Sequence, residues 1–116
     1  MMEDLVKGKC EACRSGAPQV TSAQIKEYIQ VIPEWNIIQD NSISKLKRSF
    51  ATKNYIETIK FVNAIADIAN SQDHHPILQV EFNLVTVWWW THKINGLHRN
   101  DFIMAAKTDE IFIKEF

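Results

Sequence analysis

The stretch His74-His75-Pro76-Ile77-Leu78-Gln79-Val80-Glu81-Phe82-Asn83-Leu84-Val85-Thr86-Val87-Trp88-Trp89-Trp90-Thr91-His92 decides how this chain folds. Between its histidines, apolar and polar residues alternate. Val80, Phe82 and Leu84 lie between Gln79, Glu81 and Asn83; Val85, Val87 and Trp89 then share one face, opposite Thr86, Trp88 and Trp90. A period of two is the mark of a half-buried strand. Strands are therefore expected over Ile77 to Phe82 and Leu84 to Thr91, joined as a hairpin. His75 and His92 are equidistant from the Asn83-Leu84 bond. A turn there returns His92 to the sheet end where the His74-His75 loop enters, with cross-strand α-carbons about 5 Å apart. Pro76 requires extended or turned backbone just before it.

Working outward, the segment before the histidines reads as the longest helix, Lys53 to Asn70, with Thr52 as its N-cap. Tyr55, Ile59, Val62, Ala66 and Ala69 form its expected core stripe, widened by Ile56, Ile65 and Ile68. Ahead of it lies a second hairpin. Trp35 to Ile38 is apolar, Gln39-Asp40-Asn41-Ser42 is turn chemistry, and Ile43 to Phe50 alternates. A short helix precedes that, Ala23 to Val31, capped by Thr21 or Ser22, with Gln24 in capping-box register and Pro33 as its stop. After His92, Asn95-Gly96 marks a turn. A last helix follows from Arg99 or Asn100, with Phe102, Ile103, Ala106, Phe112 and Ile113 facing the core. The order α-β-β-α-β-β-α predicts an α+β domain: a four-stranded antiparallel sheet with helices packed on one face.

Residues 21–116 form one expected domain, preceded by a flexible segment 1–20. The net charge of -1 gives no electrostatic reason to expect direct nucleic-acid or membrane binding. No apolar run approaches the roughly 18 residues of a membrane span. Glu3 and Asp4 sit where a secretory leader would be apolar, so a cytoplasmic protein is expected. Cys10 and Cys13 form a Cys-x-x-Cys without further soft ligands nearby, and read as a surface or terminal pair without catalytic work, with metal binding or an adventitious disulfide as the alternatives. Neighbours on a strand alternate sides, so at least one of Trp88, Trp89 and Trp90 lies outside the main core. Such a residue is a rim residue, a pocket wall or, preferably, part of a subunit interface.

Imidazole titrates near pH 6.5, so three of the chain's four histidines converging on one loop end point to proton transfer. His98, beyond the Asn95-Gly96 turn, reads as structural or solvent-exposed. A zinc site would need three neutral imidazoles with an open position, but His-x-His and His-Glu-x-x-His spacings are absent. Acid/base chemistry without a metal is the preferred reading.

At these residues the chain resembles the pterin-4a-carbinolamine dehydratases, also called 4a-hydroxytetrahydrobiopterin dehydratases. The matching residues are His74-His75-Pro76, Thr91-His92, Gly96-Leu97 and Asn100 to Ala106, with Trp35 and Phe50 fitting upstream. Cys10-Glu11-Ala12-Cys13 is similar to bacterial members. The resemblance implies the same four-stranded α+β fold. It implies dehydration of 4a-hydroxytetrahydropterin to quinonoid dihydropterin, recycling the pterin cofactor of aromatic amino-acid hydroxylases such as phenylalanine hydroxylase. It implies no metal or organic cofactor, and a homodimer or homotetramer.

By resemblance, His74 and His92 carry the proton transfers. His75 completes the catalytic set by binding and orienting the pterin, a role exchangeable with His74. Asp73, Pro76, Thr91 and Asp101 are the implied substrate-binding positions. Asp101 also reads as a charge at a helix N-terminus. Two positions depart from the family pattern. Asn70 stands where some members carry an acid, and Leu78 where some carry an aromatic residue. Animal members also serve as dimerisation partners of a homeodomain transcription factor, so a protein-binding scaffold is the second reading.

Overall fold

The computed structural model describes residues 5–10 and 17–116. Its elements are α1 (Ser22–Ile29), β1 (Asn36–Asp40), β2 (Ile43–Ala51), α2 (Tyr55–Gln72), β3 (Ile77–Glu81), β4 (Leu84–Trp89) and α3 (Arg99–Glu115). The order is the expected one. The four strands form one antiparallel sheet in the order β1-β2-β4-β3, so β2 and β4 are central. Helices α2 and α3 cover the sheet face that carries Leu46, Phe50, Val85, Val87 and Trp89. Phe61, Ile65, Phe102 and Ile103 meet those residues, and all are buried. Each such apolar side chain contributes roughly 1.5–3 kcal/mol on burial.

Both hairpin turns are tighter or shifted relative to expectation. Asp40 pairs with Ile43, so only Asn41 and Ser42 form the first turn, with φ of 50° and 66°. Positive φ at both central residues makes a type I′ turn, whose twist matches that of paired strands. Gln39 and Asp40 thus belong to β1. In the second hairpin Glu81 pairs with Leu84, leaving Phe82 and Asn83 as the turn. The centre lies one residue earlier than the Asn83-Leu84 bond, and β4 ends at Trp89 instead of Thr91.

Helix α1 begins as expected: Thr21 accepts from the Gln24 N–H and Gln24 accepts from the Thr21 N–H. Helix α2 does not. Its N-cap is Asn54, whose Oδ1 accepts from Glu57 N at 2.9 Å, and not Thr52. Its buried line is Thr58, Phe61, Ile65 and Ala69, while Tyr55, Ile56 and Ala66 are exposed. Thr58 explains the rotation. Its hydroxyl lies 2.9 Å from the Phe82 carbonyl oxygen and contacts Thr52, fixing the helix against the β3–β4 turn. A count of apolar residues alone cannot see a core line anchored by a threonine.

Helix α3 is buried from Asn100 through Ala106, on every side. The sheet covers one flank and a 3-10 turn at Leu5–Lys7 covers another, with Leu5 fully buried. Lys107 Nζ donates to the Val6 carbonyl at 2.9 Å. At its far end Phe112 packs on Phe50 and Phe61, whereas Ile113, expected in the core, is 79% exposed. One polar brace ties β2 to α3. Asp109 Oδ1 accepts from Trp35 Nε1 at 2.8 Å and from Arg48 Nη1 at 2.7 Å. Burial pushes the Asp109 carboxyl above its ordinary pKa, against the lowering pull of the Trp35 N–H and the Arg48 charge.

Candidate active site

Helix α2 stops because Asp73 turns left-handed, at φ 50° and ψ 43°. Aspartate tolerates that region better than most residues. The Asp73 and His74 N–H groups donate to the Asn70 and Ala69 carbonyls, closing the helix end. The reversal gives the adjacent histidines different surroundings. His74 is 5% exposed, while His75 lies at the surface.

His74 is held by a buried carboxylate. Its Nε2 lies 2.7 Å from Asp101 Oδ1, and its ring stacks on Trp89 with centroids 5.6 Å apart at 10°. An ionised carboxylate only accepts, which places the hydrogen of this pair on His74 Nε2. Asp101 Oδ2 accepts from Thr91 Oγ1 and from the His98 N–H, both at 2.9 Å. Asp101 is therefore both the partner of His74 and the acidic half of the α3 capping box. His98 is the other half: it is the N-cap, and its Nδ1 accepts from Asn100 N. That is a structural role, as its position beyond the turn had indicated. Among the described residues every buried side-chain nitrogen and oxygen has a partner.

His75 Nε2 donates to Asn70 Oδ1 at 3.1 Å, so the amide at the departing position engages a histidine. His92 opens a 3-10 turn, His92–Ile94, that Asn95 ends with φ 49°. Thr91 and Gly96 close this loop as a bridge, Thr91 N donating to Gly96 O at 2.9 Å. Gln19 lies tightly over it: a Cβ at Gly96 would sit 2.8 Å from the Gln19 side chain, which also donates to Ile94 O. His92 is exposed, with its ring centroid 4.3 Å from that of Trp90.

Asp73, His74, His75, Thr91, His92 and Lys93 line one open cleft. Of the expected site residues, Asp101 sits beneath it, fully buried, and Pro76 leads away into β3. The spacing of the sequence did not single out Lys93, the Asn70–His75 contact or the ring contacts of Trp89 with His74 and of Trp90 with His92. Alternation along the tryptophan run predicts a rim, pocket-wall or interface residue and does not point to a partner for a histidine ring. Leu78 is half-buried on the helix-covered face of β3, opposite Val87. Cys13 lies outside the described residues. Cys10 is half-buried and its N–H donates to Gln72 Oε1 at 2.9 Å, just before Asp73. Among the described residues no group of three or more His, Cys, Asp or Glu is placed to hold a metal ion. Three imidazoles thus meet at one solvent-open cleft, one of them anchored on a buried carboxylate.

Comparison with known proteins points the same way. The family model described as pterin 4 alpha carbinolamine dehydratase matches residues 18–111. A Marinobacter nauticus protein named "Putative pterin-4-alpha-carbinolamine dehydratase" is 45% identical, over 96% of this chain and 100% of its own. A protein of the same name from Saccharophagus degradans is 46% identical, over 96% of this chain and 98% of its own. The crystal structure of a transcriptional coactivator/pterin dehydratase from Brucella melitensis superposes with a TM-score of 0.74 at 27% identity, covering 82% of this chain and 99% of that one. A pterin dehydratase-like protein identified as a RuBisCO assembly factor in the alpha-carboxysome shares the fold, with a TM-score of 0.59 at 20% identity, over 67% of this chain and 88% of that one. With the family model spanning most of its length and relatives matching from end to end, the chain belongs to the pterin 4 alpha carbinolamine dehydratase family.

Proposed function

We propose that this chain dehydrates 4a-hydroxytetrahydropterin to quinonoid dihydropterin by histidine acid/base catalysis. The observation that carries this reading is the meeting of His74, His75 and His92 around one cleft in a member of this family. The reaction removes hydroxide from C4a and a proton from N5, leaving water and the quinonoid product. One imidazolium protonates the departing oxygen and one neutral imidazole accepts the N5 proton, each contributing about 10²–10⁴-fold. His74 and His92 take these roles. His75 orients the pterin, with Asp73, Pro76 and Thr91 at the binding positions. Asp101 acts from below, fixing the His74 ring. The step draws on no metal or organic cofactor.

In the cell this activity recycles the pterin cofactor of aromatic amino-acid hydroxylases, phenylalanine hydroxylase foremost, in the cytoplasm. The working form is a homodimer or homotetramer. Exposed Tyr55 and Ile56 on α2, and the edge strand β3 with exposed Ile77 and Val80, supply apolar surface for it. A scaffold role is the second reading, favoured by the similarity to the Brucella melitensis transcriptional coactivator/pterin dehydratase. The test follows the ultraviolet decay of freshly generated 4a-hydroxytetrahydropterin at alkaline pH, where spontaneous loss is slow. Accelerated decay with the folded protein supports the dehydratase; a decay rate equal to the buffer blank moves the assignment to the scaffold.

A further inference from the structure

Two consecutive tryptophans each carry the ring of one cleft histidine, on opposite sides of the sheet. Trp89 faces the core, fully buried, and its ring lies parallel to His74. Its Nε1–H donates to Thr108 Oγ1 at 3.3 Å. Trp90 points the other way, because neighbours on a strand alternate. It is 6% exposed, and its ring meets His92 at a centroid distance of 4.3 Å and a tilt of 31°. His74 is fixed by the Asp101 carboxylate as well as by its stack. The ring contact of the exposed His92 is with the Trp90 indole.

That indole is itself pinned. Leu46 pairs with Trp89, so the same register places Lys45 beside Trp90 on the outer face. Lys45 Nζ stands 4.0 Å from the Trp90 ring centroid, a cation–π contact. Lys45 is 9% exposed and ion-paired to Asp40 at 2.8 Å. Asp40 closes β1 at the tight Asn41-Ser42 turn, so the chain of contacts runs from that turn across the sheet to His92.

We propose that Trp90 is a positioning residue for His92, and that Lys45, tied to Asp40, holds the indole in place. The kinetic part of this proposal rests on the dehydratase reading; the ring contact does not. A surface imidazole has two side-chain torsions to explore, and a close, tilted contact with a fixed indole restricts both. Holding a proton-transfer group near its working geometry raises turnover without changing how tightly the substrate binds.

The experiment compares wild type with Trp90→Leu, Trp90→Phe and Lys45→Met, by steady-state kinetics and by NMR of the His92 ring protons, assigned with His92→Gln. Trp90→Leu is expected to lower kcat by about 10- to 100-fold with KM changed less than about threefold. Trp90→Phe, which keeps an aromatic face, restores most of that loss. The indole ring current shifts the His92 ring protons upfield in wild type, and this shift disappears in Trp90→Leu. Lys45→Met keeps the tryptophan and moves the same resonances part of the way. Wild-type kcat in Trp90→Leu overturns the proposal, as do unmoved His92 resonances there. Should Trp90→Leu fail to fold, unmoved resonances in Lys45→Met overturn it instead. An inactive wild type defeats the dehydratase reading alone, because the ring-proton shifts still decide whether the ring contact exists.

Discussion

Asp101 collects three hydrogens at once, from His74 Nε2, Thr91 Oγ1 and the His98 backbone N–H. It is fully buried, so no water replaces a lost partner cheaply. Asp101→Asn keeps the shape but turns one acceptor into a donor, so at least one of the three meets an N–H. The expected cost is about 1–3 kcal/mol of stability, read from the urea midpoint, together with slower dehydration as His74 loses its anchor. An unchanged midpoint would show that the carboxylate does not bind these elements together. The meeting of the histidines was legible from residue identity and spacing, whereas Asp101 came only with the family resemblance. The tryptophan platforms were not. Which indole faces which histidine depends on a register that a single residue of slippage reverses.

The elements were mostly legible as well, and the misses have local causes. The first hairpin turn is Asn41-Ser42, not the Asn-Gly that would announce a type I′ turn, so sequence alone ends the strand at Ile38, two residues short of Asp40. Serine at φ 66° is strained, because its Cβ crowds the neighbouring carbonyl. Ser42→Gly relieves this and is expected to stabilise the protein by up to about 1 kcal/mol, seen as a higher Tm. A lower Tm would mean that the serine makes a compensating contact.

The brace between β2 and α3 gives a pH-dependent test. Burial raises the Asp109 carboxyl pKa, so the folded chain favours the protonated acid more than the unfolded chain does. That stabilisation is complete below the ordinary aspartate value and is lost as pH rises through the raised one. The margin of wild type over Asp109→Asn should therefore shrink as pH rises from below the ordinary aspartate range through the raised value, followed by melts across a pH series. A margin that grows with pH would show that the Arg48 pair outweighs burial.

At the scale of the whole molecule, the sheet acts as a frame that brings two distant loop ends together. The α2–β3 junction supplies Asp73, His74 and His75, and the loop after β4 supplies Thr91, His92 and Lys93. The β3–β4 hairpin turns at Phe82-Asn83, one residue from the expected bond. The convergence survives that shift because these residues belong to the ends of the strands. The burial of α3 all round was beyond sequence periodicity. It depends on Leu5 and Val6, whose segment shows no amphipathic pattern of its own. The dehydratase reading rests on proton transfer by the cleft histidines. It is tested most directly by the decay of 4a-hydroxytetrahydropterin with His74→Ala and His92→Ala, each first shown by circular dichroism to be folded. Loss of about 10²-fold or more of the catalysed rate in each variant is the predicted result. Full activity in both folded variants would contradict it.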